Sequence, residues 1–182
     1  SKKPSNTPLS ALTEIKIRAK RLLKANQRQD SDATQPMTTV TAKLVISPTD
    51  IQLKHCLQVI ALELGFNDFN HCQRVLSGQA QKGEDLGQLF HSQGCDSMLN
   101  HWFSQYQAAR DFCQGTENNL LLPFKKQFFV VNRQHYFTIL KLDLSTDLPS
   151  KQAPSWDLVD NYASTDWDNL AFLMIQHKLD RP

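Results

Sequence analysis

Leu53-Lys54-His55-Cys56-Leu57-Gln58-Val59-Ile60-Ala61-Leu62-Glu63-Leu64-Gly65-Phe66-Asn67-Asp68-Phe69 is the stretch on which the reading of the fold turns. Ile51, Leu53, Leu57, Ile60, Ala61 and Leu64 recur at steps of three and four, the period that lays apolar side chains along one helix face. Gly65 stops that helix, because glycine takes the left-handed cap conformation without steric cost. Ser47-Pro48-Thr49-Asp50 ahead of it is a helix-start pattern, with proline suited to the first turn. Asn67 or Asp68 caps a shorter helix that runs to about Leu76 and closes at Ser77-Gly78. Residues 49–77 therefore read as a helix-turn-helix-like unit, its tight turn marked by Ala61-x-x-x-Gly65.

Toward the N-terminus, residues 1–8 read as a leader without regular structure. Leu12, Ile15, Ala19, Leu22 and Leu23 then predict an amphipathic helix from Leu9 to about Asn26. A polar linker follows to Thr39, and Val40 to Ile46 is β-branched enough for a short strand. Toward the C-terminus, residues 84–90 are expected to form a short helix between Gly83 and Gly94. Met98, Leu99, Trp102, Phe103, Tyr106, Ala109 and Phe112 predict the longest helix of this half, over residues 96–113. Residues 127–131 read as a strand that Leu120-Leu121-Leu122-Pro123 leads into. Asn132 caps a helix through Tyr136, Ile139 and Leu140, and Ser164 or Thr165 starts the last one. The expected fold is mainly α: a multi-helix bundle with one small β element near 127–131. Its divisions are a basic N-terminal helix and linker at 1–39 and a helical body at 40–182 with an aromatic-rich C-terminal half.

The charge is uneven. The chain of 182 residues carries a formal +2, yet residues 1–28 hold Lys2, Lys3, Lys16, Arg18, Lys20, Arg21, Lys24 and Arg28 against the single acid Glu14. Such a segment attracts polyanions, and Lys16, Lys20, Arg21 and Lys24 are the candidates for nucleic-acid contact. Within the helix-turn-helix-like unit the support for DNA reading is thinner. His71 stands where an apolar residue normally packs, Gln73 and Arg74 are the only readers offered, and Asp68 repels phosphate. No run approaches the roughly 18 apolar residues of a membrane span, so no membrane partner is expected. Ser1-Lys2-Lys3-Pro4 lacks the apolar core of a secretory signal. Cys56, Cys72, Cys95 and Cys113 read as reduced thiols beside apolar neighbours, and the expected location is the cytoplasm.

Catalytic patterns are sparse. His55-Cys56, His71-Cys72, His91 with Cys95, and His101 lack the paired spacing of a structural zinc site, so neither metal nor cofactor is expected. Gly83-Glu84-Asp85-Leu86-Gly87 places acids where a phosphate loop needs donors. Cys95 is the best nucleophile candidate, ahead of a predicted helix whose N-terminus lowers a thiol pKa, with His91 and His101 as bases. Asn100, His101 and Arg110 share the polar side of the expected 96–113 helix and are candidates to line a groove against residues 124–131. The balance favours a non-enzymatic binding module with a protein partner. A nucleic-acid-binding accessory protein and a Cys/His enzyme are the alternatives.

Two stretches carry a resemblance. Ile15-Lys16-Ile17-Arg18-Ala19-Lys20-Arg21-Leu22-Leu23, followed by Leu53 to Phe69 as quoted, resembles the glyoxalase-related helical module found at the N-terminus of some glyoxalase-superfamily proteins, here over about residues 12–77. Phe69 stands where that module usually shows tryptophan. Met98-Leu99-Asn100-His101-Trp102-Phe103, Tyr106, Ala109-Arg110, Leu121-Leu122-Pro123-Phe124 and Gln127-Phe128-Phe129-Val130 are similar to uncharacterised bacterial proteins. The resemblance implies a packed helical scaffold of bacterial type. It does not bring glyoxalase chemistry, which needs metal-binding His and Glu on paired βαβββ units.

Overall fold

The computed structural model describes residues 10–28, 46–142 and 157–180. The expectations for residues 1–8, for the linker beyond Arg28 and for a strand at 40–46 (apart from Ile46) lie outside the described residues, as do residues 143–156.

Helix α1 (Ser10–Gln27) buries Ala11, Ile15 and Ala19 completely, one residue per turn along a single stripe. That stripe packs on α2 (Leu53–Glu63) and on α6 (Thr165–Leu179). At its start the Ala11 amide donates to the Asp168 carboxylate of α6 (3.3 Å), which satisfies one of the amides a helix N-terminus leaves open. Midway along α1, Arg18 holds Asp180, just past α6, through two hydrogen bonds of 2.6 and 2.9 Å. The basic helix is thus part of the core.

Pro48–Asp50 forms a separate 3-10 turn, and α2 begins after it with a reciprocal cap between Gln52 and His55. Gly65, at φ +90°, ends α2. Asp68 caps α3 (Phe69–Leu76) by accepting from the His71 amide at 2.7 Å. His71 is a connector: its Nδ1 accepts from the Asn67 amide (3.1 Å) and its Nε2–H donates to the Asp85 carbonyl (2.7 Å). Arg74, one of the two DNA-reader candidates, is bound to Glu84 by two hydrogen bonds of 2.9 and 2.6 Å.

The aromatic-rich half departs most from expectation. In place of one helix over residues 96–113 there are three pieces: a 3-10 turn (Gln93–Ser97), strand β1 (His101–Phe103) and helix α4 (Tyr106–Cys113). The Asn100 amide breaks the run by donating to the Cys95 and Met98 carbonyls (2.8 and 2.9 Å), which turns the chain into β1. Residues 84–90 are not helical either. Gly87 sits at φ +73°, its amide taken by Asp85 Oδ1 (2.8 Å), and that turn is incompatible with a continuing helix.

The strand expected at 127–131 is the middle of a sheet. Strands β2 (Asn119–Phe124) and β3 (Gln127–Asn132) form an antiparallel hairpin, and β1 pairs with the far side of β3, giving the order β1-β3-β2. Pro123 is inside β2, opposite Phe128; an outer strand tolerates the missing amide donor. Side chains alternate between the two faces. Leu120, Leu122, Phe129 and Val131 face the main core with α1, α2, α3 and α6, whereas Leu121 and Val130 meet Ala109 and Cys113 of α4. Helix α5 (Arg133–Ile139), capped by Asn132 as expected, buries Tyr136, whose hydroxyl donates to the Phe90 carbonyl at 2.5 Å. Ser164 caps α6 as expected. The fold is mainly α with a small three-stranded antiparallel sheet.

Candidate functional site

The β2–β3 hairpin turns through two residues, Lys125 and Lys126. Lys125 is held at φ +53° while Lys126 keeps a negative φ, the sign pattern of a type II′ turn, in which glycine is favoured at the first position. Its backbone is clamped from both sides: the Lys125 amide donates to the Gly87 carbonyl (2.8 Å), and the Leu86 amide donates to the Lys125 carbonyl (3.1 Å). The hairpin tip is thereby fixed beside residues 80–86.

Between these segments, the start of α4 and the turn at residues 157–162 lies a cleft of about 210 Å³. Tyr106, Phe128 and Tyr162 supply aromatic wall, and Lys82, Lys125 and Lys126 line it as well, the Lys125 ammonium standing 5.8 Å from the centre of the Phe124 ring. The Tyr106 and Phe128 rings meet edge to face at 5.9 Å, and the Lys82 ammonium lies 5.8 Å from the centre of the Tyr106 ring. Tyr106 is oriented by Asp157, which accepts its hydroxyl hydrogen at 2.6 Å. Burial first, and that carboxylate second, push the phenol well above its ordinary value, so it stays a neutral donor at neutral pH.

Tyr162 is fixed in a similar way. Its hydroxyl donates to the Val75 carbonyl and accepts from the Ala80 amide (3.2 Å), and burial pushes it up to about 12. Of the acids in the walls, Glu84 is bound by Arg74, which holds its carboxyl below the usual range, and Asp160 is exposed. Among the described residues no carboxylate lies within ion-pair distance of Lys82, Lys125 or Lys126.

The groove expected between the 96–113 segment and residues 124–131 is present at the Tyr106 end, but its named candidates are elsewhere. Asn100 pins the turn before β1, the His101 ring lies 4.4 Å from the Phe112 ring, and Arg110 is half-buried on α4. None of the three lines the cleft. Tyr106 reads as core from its helical spacing, and the lysines carry no motif. The two polar residues between apolar runs at 120–124 and 127–131 were the available signal, since that spacing marks a hairpin tip.

The catalytic candidates separate as well. Cys95 is fully buried inside the 3-10 turn, and burial pushes its thiol up, the opposite of the shift expected from a helix N-terminus. His91 is packed against Trp102, Phe124 and Phe129 at 5.4–5.5 Å between ring centres. Burial holds its imidazole below the ordinary value, Lys178 presses the same way and Asp96 opposes. On α1, Lys16, Lys20, Arg21 and Lys24 are all exposed.

Among the described residues no group of three or more His, Cys, Asp or Glu side chains is placed to hold a metal ion, and no helix is long and apolar enough to cross a membrane. No protein-family model, curated protein or solved structure matches the chain.

Proposed function

We propose that the chain is a non-enzymatic binding module whose Tyr106 cleft takes a small anion with a flat apolar body. The observation that carries this reading is the set of three lysines around an aromatic wall, with no carboxylate among the described residues in ion-pair reach of any of them. A cavity of about 150 Å³ accepts one benzene ring. The cleft is somewhat larger, so a single ring with a carboxylate or phosphate fits its volume. The ring packs on Tyr106 and Phe128, and the charge meets the lysines. The same group on a protein partner's side chain gives the protein-interaction form of this reading. The resemblance of residues 12–77 to the glyoxalase-related module belongs to it too, with α1, α2 and α3 as part of a bundle-like scaffold behind the cleft. Four buried free thiols fit a reducing cytoplasm.

The test is titration with benzoate and phenyl phosphate against the neutral probe benzyl alcohol. The expected result is saturable binding of the two anions that Lys125→Glu with Lys126→Glu weakens at least about tenfold, the size of a lost charge-assisted contact. Equal binding of benzyl alcohol, or indifference to both charge reversals, overturns it. Competition by benzoate for a captured protein identifies the partner form.

A second reading, a polyanion-binding accessory protein, rests on α1. At about 100° per residue, Lys16, Lys20, Lys24, Arg28 and Arg21 fall within an outward arc of about 140° that holds no acid. Phosphate contact by such an arc gives binding that falls with salt at about −0.9 per neutralised phosphate. Lys20→Glu with Lys24→Glu is expected to flatten the slope for duplex DNA by about 2. An unchanged slope rejects the α1 version.

A further inference from the structure

Among the described residues the sheet has one closed edge and one open edge. Lys125 and Lys126 alone turn the hairpin, so Phe124 and Gln127 form its closing hydrogen-bonded pair, and hydrogen bonding alternates from there along both strands. On β2 this points the backbone groups of Leu121 and Pro123 out of the sheet. Leu121 gives its outward carbonyl to the Leu158 amide (3.0 Å), and Pro123 has no amide to leave open. On β3 the same alternation turns Phe128 and Val130 toward β1, where they pair with Phe103 and His101. Trp102, between those two, therefore directs its own amide and carbonyl away from the sheet. No hydrogen bond joins either group to another described residue.

Edge strands of folded proteins are ordinarily guarded by charge, by proline or by a covering segment. On β1 the first two guards are missing. From Ser97 to Ala109 there is no Asp, Glu, Lys or Arg, although these make up 21% of the chain. Leu99 is 73% exposed and Trp102 45% exposed. Two further exposed apolar side chains flank them. The Phe112 ring lies 4.4 Å from the His101 ring and 5.4 Å from the Phe103 ring, and Ile139 stands beside Gly94 in the turn that leads to β1. Thus four of the six exposed large apolar side chains of the described residues gather around one strand. With about 200 Å² for each when fully exposed, they present on the order of 400 Å². That is close to the apolar share of the roughly 800 Å² that each partner brings to a standard interface.

These features fit a second copy of the chain. A two-fold interface sets the residues at its axis against their own images, so a charge there repels itself, and β1 carries none. A residue that offers its amide and its carbonyl on the same side is its own complement in an antiparallel pair. We propose that the chain forms a two-fold dimer through β1, Trp102 exchanging both backbone hydrogen bonds with its own copy. The result is a six-stranded sheet in the order β2-β3-β1-β1-β3-β2. Neither Trp102 nor Leu99 lines the Tyr106 cleft, so this dimer and the ligand of that cleft are tested separately.

The test is sedimentation equilibrium of the full chain from about 1 µM to about 0.5 mM, with amide hydrogen exchange followed by NMR over the same range. A monomer–dimer equilibrium is expected. The Trp102 amide is expected to exchange at least about tenfold more slowly where the dimer predominates. Leu99→Lys removes an exposed apolar side chain from each half of the interface and adds the residue that natural edges use against pairing. It is expected to raise the dimer Kd at least about tenfold while the monomer stays folded. Should that variant fail to fold, Ser104→Lys decides, at an exposed position just past β1, with a rise in Kd of the same order. A monomer throughout, a dimer whose Trp102 amide exchanges as fast as the monomer's, or indifference to the deciding variant overturns the proposal. So does a Trp102 amide protected equally at every concentration, which places a segment of the same chain on the edge.

Discussion

Tyr106, the first residue of α4, donates its hydroxyl to Asp157 at 2.6 Å and so joins the helix that covers the sheet to the turn that forms one wall of the cleft. Asp157 is 5% exposed, and its other oxygen accepts the amides of Val159 and Asp160 at 3.0 Å each. A buried carboxylate is tolerated only when its lone pairs are satisfied, and here the phenol completes the set. The turn also pairs with the sheet, through the Leu158 amide and the Leu121 carbonyl at 3.0 Å.

Tyr106→Phe is therefore expected to destabilise the chain by about 1.5–3 kcal/mol, the range for a hydrogen bond to a charged group. Urea unfolding followed by fluorescence measures it, with an unchanged m-value marking a pure stability effect. In a cycle with Asp157→Asn the two losses should fall short of additive, since the residues are in direct contact. Additive losses would show that the phenol and the carboxylate act on stability separately.

Lys125 offers a variant in which stability and binding move in opposite directions. A lysine at φ +53° carries a left-handed backbone cost of about 1–2 kcal/mol that glycine does not. Lys125→Gly is expected to stabilise the hairpin by up to about 1 kcal/mol once glycine's greater unfolded-state freedom is subtracted. The same change removes one cation from the cleft and should weaken aromatic anions. A variant that melts higher and still binds benzoate as tightly as the parent removes Lys125 from the site.

The elements that sequence exposes are those whose signal is local. Gly65 and Asp68 mark the α2–α3 turn because a left-handed cap and a carboxylate cap each act within four residues. Asn132 and Ser164 are visible for the same reason. The 96–113 segment is not, because Met98, Leu99, Trp102, Phe103 and Tyr106 satisfy the helical period as strings of letters. The decision against a helix is made by Asn100 bonding two carbonyls and by β3 pairing with His101, Trp102 and Phe103, about thirty residues along the chain. Periodicity has no access to that partner. The cleft is hidden likewise: Lys82, Tyr106, Lys125 and Tyr162 converge only after the hairpin clamps onto residues 86–87.

Acid should loosen the contact between the middle of α1 and the C-terminal end of α6. The Arg18 guanidinium holds the Asp180 carboxyl below its usual range, chiefly by hydrogen bonding. A carboxyl whose folded pKa lies under its unfolded value of about 3.9 contributes stability that is complete above that value. The contribution is lost as pH falls through the lower, folded value. Asp180→Asn should thus reduce the fall in stability below about pH 4 relative to the parent. At neutral pH its cost should stay near the range for exposed pairs, about 0.2–1 kcal/mol, because the Asp180 side chain is 57% exposed. Thermal melts of parent and variant from pH 2 to pH 7 read both arms; parallel curves would remove the pair from the acid response.

Thiol chemistry separates a binding module from a cysteine enzyme. Cys56, Cys72 and Cys95 are fully buried and Cys113 is nearly so. Burial pushes every one of the four thiols up, Cys72 to about 12 and Cys113 to about 11. Since the thiolate is the reactive form, the native chain at pH 7 is expected to react with an aromatic disulfide reagent only as fast as it opens. Cys113, the least buried, should be modified first, and all four should react together once denaturant unfolds the chain. Mass spectrometry of the partly labelled protein gives the order. A Cys95 that is labelled in the folded state ahead of Cys113 has an access route and an activated thiolate that its burial does not provide, and would restore the Cys95–His91 pair as a catalytic candidate. Labelling of Cys95 at the rate of global unfolding places it with the core and removes the Cys95–His91 pair as a catalytic candidate.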